Sequence, residues 1–156
     1  MSEELELKGK FLSAKKLKLS KKQRCALLKT LAWLEAGKLD HENERNLTFD
    51  MKHWNQGSYT RNGKNCGTVC CIGGAASILG DNAMYAFMRG YITKELGNLF
   101  YPGGGATGLG WVDEGKKHPG WSASTAQAAV ALRGYLETGK TDWDAAMLTP
   151  SNRRAK

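Results

Sequence analysis

With 156 residues, of which 41% are hydrophobic and 24% charged, the chain has enough material for one domain with its own core and too little for two of ordinary size. Its formal charge is +8, from 23 Lys and Arg against 15 Asp and Glu, which favours anionic over cationic partners. No stretch approaches the roughly 20 apolar residues that cross a bilayer, and charges interrupt Leu5, Leu7, Phe11 and Leu12 where a secretory signal would be continuously apolar.

Residues 1–24 hold eight basic and three acidic side chains, so residues 1–19 are expected to form a basic N-terminal arm, with packing only through Leu5, Leu7, Phe11 and Leu12. A helix starts at Ser20, whose hydroxyl can cap it and whose N3 residue, Gln23, completes a capping box. Leu27, Leu28, Leu31 and Leu34 make its apolar stripe, Trp33 falls off that stripe and is expected in the core, and Gly37 stops the helix. Residues 41–46 form a polar connection. Leu47, Phe49 and Met51 then alternate in a short extended segment, and the turn-formers of residues 55–65 read as a loop.

The stretch from Asn65 to Leu79 is expected to be a tight lead-in to a buried central helix, with Val69, Ile72, Ala76 and Leu79 as its apolar contacts. Gly80 ends it. Met84, Tyr85, Phe87 and Met88 form a further apolar group before Gly90, Thr93 can cap a short helix, and Leu96, Leu99 and Phe100 pack it. Residues 101–111 carry five of the chain's 19 glycines between Tyr101 and Trp111 and form a long loop. Trp121 anchors the chain ahead of a helix capped by Ser122 or Ser124. That helix runs to about Thr138, with Thr125, Ala128, Ala129, Leu132 and Leu136 on one face and Tyr135 at its edge. L-E-x-G-K-x-D occurs at residues 34–40 and again at 136–142, the same stopping chemistry used twice. A last short turn would dock through Trp143, Met147 and Leu148. The resulting expectation is a mainly α, compact single-domain protein with long Gly-rich loops and a short β segment. Its helical domain spans 20–148 and is followed by a flexible basic tail, 149–156.

The candidate chemistry is sparse. Cys66 at a helix start would have a stabilised thiolate, with His53 or His118 as base and Asp50, Asp113 or Asn65 orienting the imidazole, giving a cysteine-dependent hydrolase or transferase as one alternative. Zinc could be gathered by His53, Cys66 and Cys70 with His41, His118 or Cys71, but the four cysteines (Cys25, Cys66, Cys70, Cys71) form no C-x-x-C knuckle and read as reduced thiols of a cytoplasmic protein. Gly103-Gly104-Gly105-Ala106-Thr107-Gly108 spells G-x-G-x-x-G without a leading strand, and Tyr101 and Trp111 beside it could stack on a base, so nucleotide or small-ligand binding is a second alternative. The acidic residues show no spacing that singles out a catalytic pair.

Phe49-Asp50-Met51-Lys52-His53-Trp54 fits F-x-M-x-x-W, and residues 66–76 fit C-G-T-x-x-C-x-x-G-x-A. With the Ser124–Ala129 and Glu137–Trp143 segments, these motifs resemble a group of small uncharacterised bacterial and phage-encoded proteins over about residues 20–143. The resemblance implies a phage or mobile-element accessory protein and transfers no activity to any residue. The favoured expectation is therefore a non-enzymatic protein that binds a host protein or nucleoprotein complex. Lys15, Lys16, Lys18, Lys21, Lys22 and Arg24 would steer the encounter, Tyr101 and Trp111 would add specific contact, and direct contact with nucleic acid is open to it. No cofactor, metal or membrane is implied.

Overall fold

A computed structural model describes residues 7–40, 47–49, 68–70, 72–80, 93–100 and 123–150. The elements are α1 (Ala14–Leu17), α2 (Lys21–Glu35), a 3-10 turn (Lys38–Asp40), β1 (Leu47–Phe49), β2 (Thr68–Cys70), α3 (Ile72–Leu79), α4 (Lys94–Phe100), α5 (Thr125–Thr138) and α6 (Trp143–Met147). The fold is mainly α, with β1 and β2 as a parallel pair in the register Leu47–Thr68, Thr48–Val69 and Phe49–Cys70.

The axis of the fold is α2. Its capping box is closed, Ser20 Oγ accepting from the Gln23 amide at 3.1 Å and Gln23 Oε1 from the Ser20 amide at 2.7 Å. After its first turn and a half it is buried almost all round: Ala26, Leu27, Thr30, Leu31, Ala32, Trp33 and Leu34 all lie inside, because α3 and α5 pack on it from different sides. Such a helix needs no narrow apolar stripe, and Trp33 is in the core as expected. The buried Thr30 hydroxyl donates to the Ala26 carbonyl at 2.8 Å, so no polar group is stranded there. Gly80, directly after α3, lies close against α2. A Cβ at that position would lie 2.4 Å from the Ala26 Cβ and 2.8 Å from the Ala76 carbonyl oxygen.

The stretch after Asn65 departs from expectation. Thr68–Cys70 is a strand, and the helix begins only at Ile72. Thr and Val are β-branched and stiff at χ1, and β1 supplies backbone partners, so the extended form wins. The helix that follows is buried through Ile72, Ala75, Ala76 and Leu79 but flanks α2, which holds the central place expected of it.

The other helices follow their sequence signals more closely. Thr93 Oγ1 accepts from the Leu96 amide at 3.3 Å, capping α4, whose Leu96, Leu99 and Phe100 are buried. Ser124, not Ser122, caps α5, and Gln127 completes a second capping box that the sequence reading omitted. Gly37 and Gly139 have φ of +72° and +79°, so both L-E-x-G-K-x-D segments end a helix on a left-handed glycine. Tyr135, expected at an edge, is only 1% exposed, because α4 packs on that side of α5. Trp143 docks α6 and donates from Nε1 to the Asn98 carbonyl at 2.8 Å. Leu148 does not dock. It is 86% exposed, since five residues beyond Trp143 place it about 140° around the helix from the buried face.

Residues 7–19, expected to pack only through Leu7, Phe11 and Leu12, are bound to the body much more extensively. The Leu12 amide donates to the Leu136 carbonyl at 2.8 Å, Leu17 and Leu19 are buried, and α1 is an added helix capped by Ser13. Lys18, between the two buried leucines, has φ +58°. A left-handed residue with a Cβ costs about 1–2 kcal/mol, whereas burying two leucines contributes roughly 3–6 kcal/mol. The reversal at Lys18 lets both leucines face inward and leaves its own side chain outside.

Candidate functional site

The feature that stands apart from the packing is an exposed run of basic residues along the arm, α1 and α2. From Leu7 to Leu34 the chain carries nine basic residues, Lys8, Lys10, Lys15, Lys16, Lys18, Lys21, Lys22, Arg24 and Lys29, and no Asp or Glu. All eight lysines are exposed, and none of their ammonium groups is paired with a carboxylate among the described residues. On α2, Lys21, Lys22, Cys25 and Lys29 share an exposed ridge, since residues three, four, seven and eight apart fall on one side of a helix. That ridge is about 12 Å long. The Cys25 thiol on it is free and exposed.

The start of α2 adds to the positive potential. Its first turn contains no acidic residue, and the partial positive charge of a helix N-terminus favours anions there. Lys21, Lys22 and Arg24 thus sit where a helix normally carries Asp or Glu.

Of the six basic residues expected to meet a partner, Lys15, Lys16, Lys18, Lys21 and Lys22 are exposed. Arg24 has another role. It is half-buried, and its Nε donates to the Leu12 carbonyl at 2.7 Å, pinning the arm to α2. Lys29 belongs to this run although the sequence reading did not include it, and its spacing of eight from Lys21 is the signal that could have found it. Cys66, His53, Asp50, Tyr101 and Trp111 lie outside the described residues, as do His41, His118, Cys71, Asp113 and Asn65. Cys70 is the last residue of β2. Among the described residues no group of three or more His, Cys, Asp and Glu could hold a metal ion, and no helix is long and apolar enough to cross a membrane.

One arginine that the sequence did not single out secures the arm. Arg133 of α5 grips Glu35 with Nε at 2.6 Å and Nη2 at 2.8 Å, and its Nη1 reaches the Lys8 carbonyl at 2.6 Å and Glu137 at 3.0 Å. Its guanidinium also lies 5.3 Å from the centre of the Phe11 ring. The hydrogen bond that Arg133 donates to Glu35, with Glu137 beside it, holds Arg133 further toward its charged form than usual against the opposing effect of burial. Gly9 allows this approach: its φ is +136°, and a Cβ would stand 2.7 Å from Arg133 Nη1. Glu35 and Glu137 are thus engaged by Arg133, a structural cation, and among the described residues no carboxylate pairs with the exposed lysines of residues 7–34. A search for relatives found no matching protein family, no matching curated protein and no matching solved structure.

Proposed function

We propose that the protein is a non-enzymatic binding protein, a phage or mobile-element accessory factor that docks its cationic face on the anionic surface of a host protein or nucleoprotein complex. The observation that carries this reading is the exclusion of every carboxylate from residues 7–34, together with the docking of that segment onto the core. Uncompensated like charges repel one another and weaken the fold, and a fixed array of them attracts a polyanion over several ångströms at moderate salt. Because the arm, α1 and α2 are tied to the core by Leu17, Leu19, Arg24 and Arg133, the cations are presented in a set arrangement, and binding does not have to order a loose tail. The placement of the motif-bearing residues in a phage-type group remains part of the same proposal, resting on F-x-M-x-x-W and C-G-T-x-x-C-x-x-G-x-A.

Retention on immobilised heparin tests the surface itself. Lys22→Glu should elute at clearly lower salt than Lys38→Glu, which makes the same charge change in the 3-10 turn beyond the C-terminal end of α2, with both variants shown to be folded by circular dichroism. Equal elution of the two would mean that net charge alone governs binding, and the proposed face would be abandoned.

A further inference from the structure

We infer that the partner of the cationic face is the phosphate backbone of a nucleic-acid duplex, bound without reading the bases. This rests on the docking role proposed above and narrows it, from three features of the same surface.

The first is the lack of anchors. Protein partners are held by aromatic or apolar side chains at the centre of the contact, with charge at its rim. Here Leu17, Leu19 and Leu27 are buried, and Phe11, Leu12 and Leu28 are half-buried against the core. Among the described residues the large hydrophobic side chains that are exposed are Val130 and Leu148, on α5 and beyond α6. A contact made of lysines alone is weak for a protein surface and sufficient for a backbone carrying one charge per about 1.7 Å of duplex axis.

The second is the absence of base readers. Bases are distinguished by bidentate Arg, Asn and Gln. Between Leu7 and Leu34 the candidates are Gln23 and Arg24, and both are committed to the fold: Gln23 Oε1 accepts from the Ser20 amide, and Arg24 Nε donates to the Leu12 carbonyl. Lysines and the positive end of α2 remain, and these position a backbone without specifying sequence.

The third selects double over single strands. Single strands are held by bases stacked on exposed aromatic rings, and within residues 7–34 Trp33 is buried while Phe11 lies against the Arg133 guanidinium at 5.3 Å. A ridge about 12 Å long matches the axial span of roughly seven duplex charges, and about four or five phosphate contacts are assigned to its three lysines together with those of α1.

The test is fluorescence anisotropy of the full chain with a labelled DNA duplex of about 30 base pairs, repeated with unrelated sequences, with the single strand, and with poly-L-glutamate as the stand-in for an acidic protein surface. Between about 50 and 200 mM salt the duplex affinity should fall roughly 60- to 1,000-fold, a log–log slope of about −3 to −5. Different sequences should agree within about threefold, the single strand should bind more weakly, and Lys22→Gln should flatten the slope by about 1. If poly-L-glutamate binds, Lys22→Glu abolishes that binding and the duplex does not bind, the face is real and the nucleic-acid inference is wrong. If neither polyanion binds, both fail. A sequence preference above about tenfold, or tighter binding of the single strand, would overturn the base-blind duplex geometry.

Discussion

Replacing Arg133 by Met removes the guanidinium while keeping an unbranched apolar stem over Phe11, and so isolates the clasp that holds the arm. Arg133 is 26% exposed, with Glu35 at 33% and Glu137 at 36%, so the ion pairs are partly screened by water. The two-pronged bond to Glu35 contributes about 1 kcal/mol, the bond to the Lys8 carbonyl about 1 kcal/mol, the Glu137 pair one turn along α5 about 0.3–0.5 kcal/mol and the ring contact about 0.5 kcal/mol. The sum, roughly 2–3 kcal/mol, corresponds to a fall in Tm of about 5–10 °C for a domain of this size. The loss should also be local. Because the Leu12 amide is bonded to Leu136 just beyond the clasp, its hydrogen exchange should speed up about ten- to a hundredfold, while the buried amides of α2 slow or speed only with global stability. Arg133→Lys should recover little, since an ammonium cannot reproduce the planar fork. If Tm falls but Leu12 exchange follows the global change alone, the arm is held by Leu17 and Leu19 and the role assigned to Arg133 is wrong.

Two further substitutions have opposite signs from the usual loss. Tyr135 Oη is buried with no hydrogen bond of good geometry, the Thr93 hydroxyl nearby being too poorly placed to satisfy it fully, so Tyr135→Phe should leave the fold unchanged or stabilise it by up to about 1 kcal/mol in urea melts. Burial pushes the phenol up to about 12, with the nearby Thr93 hydroxyl opposing and the Glu95 charge assisting. A folded value above the ordinary 10 means that stability is complete below that pH and declines toward pH 12 by roughly 2–3 kcal/mol; the phenylalanine variant should lack this decline, and parallel losses in both proteins would assign it to other groups. Lys18→Gly relieves the left-handed strain and should leave stability unchanged or raise it by up to about 1 kcal/mol, while weakening retention on heparin. Undiminished retention would remove Lys18 from the proposed binding face.

How much of this was legible in the sequence depended on whether the deciding interaction was local. The Ser20 capping box, the Gly37 and Gly139 stops and the Thr93 cap involve residues within four positions of each other, and their chemistry can be read directly. The buried place of Tyr135 could not, because it depends on α4 lying against that side of α5. The strand at Thr68–Cys70 could not either: a three-residue strand exists only because β1, some twenty residues earlier, pairs with it. The arm shows the same limit in sharper form. Its basic character is visible in composition, but much of its attachment is made by Arg133 and Leu136, more than a hundred residues away. For the site, the clustering of lysines was legible, the diversion of Arg24 to the Leu12 carbonyl was not, and Cys66, His53, Asp50, Tyr101 and Trp111 fall outside the described residues.

The physical argument for function comes from where this chain sets local stability aside. Cations in the first turn of a helix oppose its dipole by about 0.3–1 kcal/mol each, and α2 has Lys21, Lys22 and Arg24 there with no acidic residue to offset them. A lysine occupies the left-handed position 18, where glycine would sit without strain. Neither choice improves packing, for Lys18, Lys21 and Lys22 all point to solvent. The fold tolerates them because the same helix closes its capping box, worth about 1 kcal/mol, and buries Leu27, Leu31 and Leu34 at roughly 1.5–3 kcal/mol each. The surplus held in the buried half of α2 is thus what permits its exposed half to be unfavourable. Several local rules are broken in the same direction of charge along residues 18–24 while the core compensates, and this supports the proposal that an anion binds there.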